Sequence, residues 1–160
     1  MLLDPPLWAV VVADVAGWGA WSAAVGWWAA SRPASRFAAD SRLTRLRPFE
    51  AGGAWYERHL AIRRWKDRTP EAGDLFPGGL SKRSLPGRGR AGLERFAAET
   101  RRAEVVHWLV PLAAVPMAAW NPWPLELTMV AYAVLANVPC LLIQRYNRAR
   151  IEAILSRRSA

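Results

Sequence analysis

At 160 residues the chain has room for one domain, and 52% apolar residues with 10 Trp is an unusual load for a soluble protein of this size. Its single cysteine, Cys140, excludes an internal disulfide and a multi-cysteine metal site. The formal net charge of +9 calls for an anionic partner, and where that charge lies relative to the apolar runs decides which kind.

Residues 5 to 30 carry Asp14 as their only charge and meet the roughly 20-residue requirement for a spanning helix. A cleaved secretory signal is the alternative, since Ala29-Ala30-Ser31 offers small residues, but no Lys or Arg precedes the apolar run and Asp4 does. Residues 105 to 120 and 125 to 143 are two further apolar stretches. The short Asn121-Pro122-Trp123-Pro124 link makes them a helical hairpin. The first of the pair is short, and Pro111 and Pro116 each remove a backbone donor, so a buried soluble helix or a re-entrant segment is its alternative. The fold class expected is therefore an all-α membrane protein with three transmembrane helices.

All 22 Lys and Arg lie either between Ser31 and Glu104 (17) or after Ile143 (5). By the positive-inside rule the N-terminus is outside a multi-pass cell-membrane protein, and the long basic connection (31–104) and the tail (144–160) are cytoplasmic, against anionic lipid headgroups. Nucleic acid is not the expected partner. Within the connection, residues 54–67 read as a helix with Trp55, His59, Ile62 and Trp65 on one stripe and Tyr56 and Leu60 off it. Such a helix lies in the membrane interface or packs on the rest of the cytoplasmic part. Residues 76–92, rich in Gly and Pro with no acidic residue, read as a mobile loop.

The candidate chemistry begins in E-T-R-R-A-E-V-V-H-W. Helical geometry puts Thr100, Glu104 and His107 on one face, with Glu104 and His107 close enough to touch and Arg102 opposite. Pairing residues about the hairpin sets His107 beside Val138, with Asn137 one step away, and Arg101 level with Gln144. Asn137, Gln144 and Arg148 share a face of the third helix. A carboxylate that orients an imidazole suits a general base, and an ionisable residue inside a membrane boundary is a functional candidate by default. The structural alternative pairs Glu104 with Arg101 or Arg148 and leaves His107 to hold the hairpin together. Glu-x-x-His is also half of a di-iron carboxylate motif, but the other half is absent, so no metal is expected.

The run R-R-W-K-D at Arg63 to Asp67, E-T-R-R-A-E-V-V-H-W at Glu99 to Trp108, and A-N-V-P-C-L-L-I-Q-R-Y-N-R-A-R at Ala136 to Arg150 resemble the bacterial glycosyl-4,4'-diaponeurosporenoate acyltransferases. The resemblance extends from Phe49 to Ile151. It implies a membrane enzyme that esterifies a sugar hydroxyl of a glycosylated carotenoid, or a related glycolipid, with a fatty acyl group. It implies no tightly bound cofactor, and an acyl donor, acyl-CoA or acyl carrier protein, as co-substrate.

Acyl transfer to an alcohol requires a base, an oxyanion donor and a site for the acyl carrier. On that chemistry His107 is the expected base, Glu104 its orienting partner, and Asn137 or Gln144 the oxyanion donor. Arg145, Arg148 and Lys66 are expected to hold a carrier phosphate. Trp65, Glu99 and Asn147, which match the family motif, complete the expected substrate-binding set. The His-x-x-x-x-Asp arrangement of many acyltransferases is absent, since His107 is followed by Pro111 and Leu112. The competing class is a non-enzymatic membrane subunit or scaffold that binds a partner or anionic lipid. The oligomeric state is not legible.

Overall fold

Apolar residues recur too densely between Leu7 and Ala30 for one buried face, and they form a single 24-residue helix, α1 (Leu7–Ala30). In the computed structural model, which describes residues 5–69 and 89–158, Val10, Asp14, Val25 and Ala29 of α1 turn inward. Leu7, Trp8, Val15 and Trp27 stand on its outer surface at about 70% exposure or more. The C-terminal helix, α5 (Trp123–Arg157), repeats this pattern, with Leu127, Val134 and Leu135 outward and Ala133, Asn137, Leu141 and Arg148 inward. Both helices are long and apolar enough to cross a membrane, and no other helix among the described residues meets that test. No strand occurs among the described residues.

The expected span at 105–120 is not one straight helix. It comprises the end of α3 (Arg90–Leu109), a 3-10 turn at Val110–Ala113, and a short helix, α4 (Ala114–Met117). Pro111 and Pro116 cannot donate to the ladder; a 3-10 turn takes over at Pro111, and α4 ends one residue after Pro116. At the break the Leu109 carbonyl accepts a bond from Trp21 Nε1 on α1 at 3.0 Å. Nearer the hairpin turn, buried Asp14 accepts one from Trp120 Nε1 at 2.9 Å.

The expected loop at 76–92 lies outside the described residues up to 88, and Arg90–Gly92 are the first turn of α3. The expected helix over 54–67 is shorter. α2 (Ala54–Leu60) stops at Ala61, whose φ of 46° is left-handed, and 3-10 turns follow at Ile62–Arg64 and Lys66–Arg68. Across that stop Trp55, Ile62 and Trp65 still pack in one cluster, while His59 stays exposed. Tyr56, off the stripe, is buried as well, and with Ile62 it packs on Ile143 and Tyr146 of α5. Burying each such side chain contributes roughly 1.5–3 kcal/mol.

Two glycines allow this approach. Gly52 and Gly53 have φ of 66° and 79°, which turns the chain into α2. A Cβ on Gly53 would meet the Tyr146 ring and Arg150 Cγ at 3.0 Å, so the backbone there lies directly on α5.

Candidate active site

His107 and Asn137 face one another across the α3–α5 seam, with His107 Nδ1 and Asn137 Oδ1 2.9 Å apart. Asn137 Nδ2 donates to the Ala133 carbonyl one turn back, also at 2.9 Å, which fixes which end of the amide is oxygen. Because Oδ1 only accepts, the hydrogen belongs on His107 Nδ1, and Nε2 keeps its lone pair. Nε2 makes no hydrogen bond to any described residue.

Glu104 does not serve as the orienting partner of His107. Its carboxylate is fully buried, and its two oxygens face Arg145 Nη1 at 2.5 Å and Arg148 Nη2 at 2.6 Å. Two guanidinium ions on the adjacent helix attract a buried carboxylate far more strongly than a neutral imidazole does. The orienting role expected of Glu104 falls to the Asn137 amide, an arrangement also found among nucleophile–His–Asn triads.

Arg145 is the hub of the surrounding network. Nε and Nη2 grip Glu50 at 2.8 and 2.7 Å, Nη1 grips Glu104, and the remaining donors reach the carbonyls of Leu43 (3.4 Å) and Arg45 (3.0 Å). All five of its N–H groups are thereby used, and none remains for the carrier phosphate expected of it. Arg148, with no exposed side-chain surface, donates to the Thr44 carbonyl and pairs with Glu104, so a phosphate cannot reach it either. Arg101 reaches past Gln144 to Glu152 and to Asp40, both at 2.6 Å.

Glu50 also accepts from the Arg47 N–H and the Tyr56 hydroxyl. Burial alone would raise its carboxyl, but the bonds from Arg145, Tyr56 and Arg47 together hold it below the usual glutamate range. Burial, and then the Glu50 carboxylate, push the Tyr56 phenol above its ordinary range. Sequence reasoning missed Thr44, Glu50 and Tyr56. Their partners lie about ninety or more residues away on α5, or depend on that docking, and no local pattern signals it.

The other expected site residues scatter around this network. Glu99 pairs with Arg102 at 2.9 Å, while burial pushes its carboxyl upward against the pull of Arg102 and Arg95. Trp65 donates to the Leu60 carbonyl at 2.9 Å, where α2 ends, and packs against the Tyr56 core. Lys66 pairs with Asp67 at 2.7 Å. Gln144 and Asn147 are half-buried, and no side-chain hydrogen bond among the described residues commits either of them. Among the described residues no three His, Cys, Asp or Glu side chains are grouped to hold a metal ion.

A protein whose described residues are helical, with two helices among them long enough to span a bilayer and a buried arginine–carboxylate network at their basic end, is the class this fold and site define. Residues 35–157 match the family model of glycosyl-4,4'-diaponeurosporenoate acyltransferase. The chain is also 30% identical over 109 residues to the glycosyl-4,4'-diaponeurosporenoate acyltransferases of Staphylococcus aureus strains USA300, NCTC 8325 / PS 47 and Newman. The chain belongs to the glycosyl-4,4'-diaponeurosporenoate acyltransferase family. Each alignment covers 67% of this chain and 64% of the relative, so the chain spans just under two thirds of the curated relatives it matches. No solved structure matches it.

Proposed function

We propose that the chain is a membrane-bound O-acyltransferase that esterifies a sugar hydroxyl of a glycosylated carotenoid, or a related glycolipid, with a fatty acyl group. The observation that carries this reading is the His107–Asn137 pair, which leaves an imidazole lone pair available as a base. His107 Nε2 takes the proton of the sugar hydroxyl as its oxygen attacks the acyl carbonyl of a thioester donor, acyl-CoA or acyl carrier protein. Asn137 meets the ring at Nδ1, opposite the reacting Nε2, so its amide orients the base and is not placed to serve the oxyanion. Collapse expels the thiolate, which recovers the proton from His107. Gln144 and Asn147, toward the basic end of α5, are the uncommitted polar groups left for the sugar.

In that membrane the rise of α5 sets the depth of each residue. Fourteen residues separate Asn137 from Trp123, about 21 Å at 1.5 Å per residue, against a hydrocarbon core of about 30 Å. On that scale His107 and Asn137 sit in the inner third of the membrane, and Glu104, Arg145 and Arg148 sit at its cytoplasmic boundary. α1, the broken α3–α4 stretch and α5 then cross side by side, with the arginine-rich connection and tail on the cytoplasmic side. The sugar headgroup and the acyl chain would both enter from that leaflet.

The test is lipid and pigment profiling by mass spectrometry in cells that hold the native acceptor pool, comparing wild type with His107→Ala and Asn137→Ala at matched membrane levels. We expect a glycosylated lipid that gains a fatty acyl mass with wild type, loses it with His107→Ala, and retains a reduced fraction with Asn137→Ala. Identical profiles for wild type and His107→Ala would overturn the catalytic role of His107.

A further inference from the structure

With Arg145 and Arg148 committed to carboxylates and backbone carbonyls, the basic charge open to a ligand lies elsewhere. On the side of α5 that faces α2 is an open groove of about 280 Å³, whose lining includes Gly52, Glu57, Arg63, Arg150, Ile154 and Arg157. Three guanidinium groups share one carboxylate there, a local excess of two positive charges. Arg150 alone is well paired, at 2.9 Å from both Glu57 Oε1 and the Tyr146 hydroxyl. Arg63 stands 3.9 Å from Glu57 with 69% of its side chain exposed. Arg157 donates Nε to the Ala153 carbonyl at 3.2 Å and makes no ion pair among the described residues. Gly52 leaves the floor clear, with no atom within 4 Å of where its Cβ would be.

We propose that this groove binds a phosphate group, carried either by the coenzyme of an acyl donor or by the headgroup of an anionic phospholipid. A phosphate monoester, as on a coenzyme, carries roughly −1.5 to −2 at neutral pH and matches the excess of two charges, whereas the phosphodiester of a phospholipid carries a single negative charge and offsets half of it. Its oxygens also suit the paired N–H edges that Arg63 and Arg157 leave unused. Ile154, 36% exposed, gives one wall an apolar surface for the methylene groups next to such a phosphate. The coenzyme source rests on the acyl-transfer reading, and the lipid source does not.

The test uses the full-length chain purified in neutral detergent, with two probes. One is coenzyme A, followed by equilibrium binding; the other is phosphatidylglycerol against phosphatidylcholine, followed by retention in native mass spectrometry. Arg63→Ala/Arg157→Ala is compared with Arg36→Ala/Arg42→Ala, which removes the same charge from exposed positions outside the groove. We expect the groove variant to bind one probe at least about tenfold more weakly than wild type, and the control variant to stay within about twofold. Loss of coenzyme A binding identifies the soluble source, and loss of phosphatidylglycerol retention identifies the lipid. Unchanged binding of both probes, or equal losses in the two variants, overturns the proposal. No arm reads turnover, so failure here and failure of the acyl-transfer reading are separate results.

Discussion

Glu104 and Arg148 meet across the α3–α5 seam at 2.6 Å, and neither side chain has any exposed surface. Such a pair gains little over a well-packed apolar pair, because both charges have left water. Removing one partner is different, since Arg148 without Glu104 is a buried charge that has lost its close counter-ion, and Glu104 without Arg148 keeps only Arg145 beside an emptied, fully buried space.

Glu104→Gln and Arg148→Ala are each expected to destabilise the protein by about 3–5 kcal/mol. The double variant should cost clearly less than the sum of the two. Thermal unfolding in detergent measures this, and strict additivity would show that the pair is not coupled.

Arg145→Lys keeps the charge but offers three donors where five are used, and a single ammonium cannot grip Glu50 and Glu104 together with two carbonyls. We expect a loss of about 2 kcal/mol. Protease cleavage within residues 41–56 should rise along with it, because that segment is what Arg145 holds down. Wild-type cleavage rates in this variant would contradict the role assigned to the fork.

Glu50 gives the fold an acid sensitivity of known sign. Its carboxyl titrates lower when folded than at the ordinary 4.5 of an unfolded chain. The stabilisation it provides is therefore fully present above about pH 4.5, and it is lost as the pH falls through the folded value. Unfolding temperature measured against pH should drop along this limb, and the drop should be shallower in Glu50→Gln, which is less stable at neutral pH.

Gly52 and Gly53 share a left-handed backbone and should nonetheless respond differently to alanine. Gly52→Ala meets open space and is expected to cost about 1–2 kcal/mol, from conformation alone. Gly53→Ala adds contact with the Tyr146 ring and Arg150 at 3.0 Å, so the loss should be larger. Equal losses in a thermal unfolding series would mean that α5 yields freely at this point.

The helices and their pairing were legible because both follow from local pattern. Apolar density fixed α1 and α5, and counting back from the Asn121-Pro122 turn brought His107 within one residue of Asn137. Farther from the turn the same count set Arg101 level with Gln144, but it could not show that the side chain goes on to Glu152, because a long arginine side chain follows charge along the seam. Ala61 stops α2 although alanine is a strong helix former, and no turn residue announces it. The docking of Thr44, Glu50 and Tyr56 onto α5 was also invisible, since it depends on partners that hydrophobic periodicity does not reveal.

The grip of Arg145 on Glu50 joins positions 95 residues apart, and this has a consequence for how the chain is made. At about 5–20 residues per second, a ribosome takes roughly 5–20 s to travel from one to the other. Throughout that interval the carboxylate of Glu50 has been synthesised and its guanidinium partner has not. Residues 41–56 must therefore wait, undocked and open to chaperones and proteases, until the last helix arrives to close the protein around them.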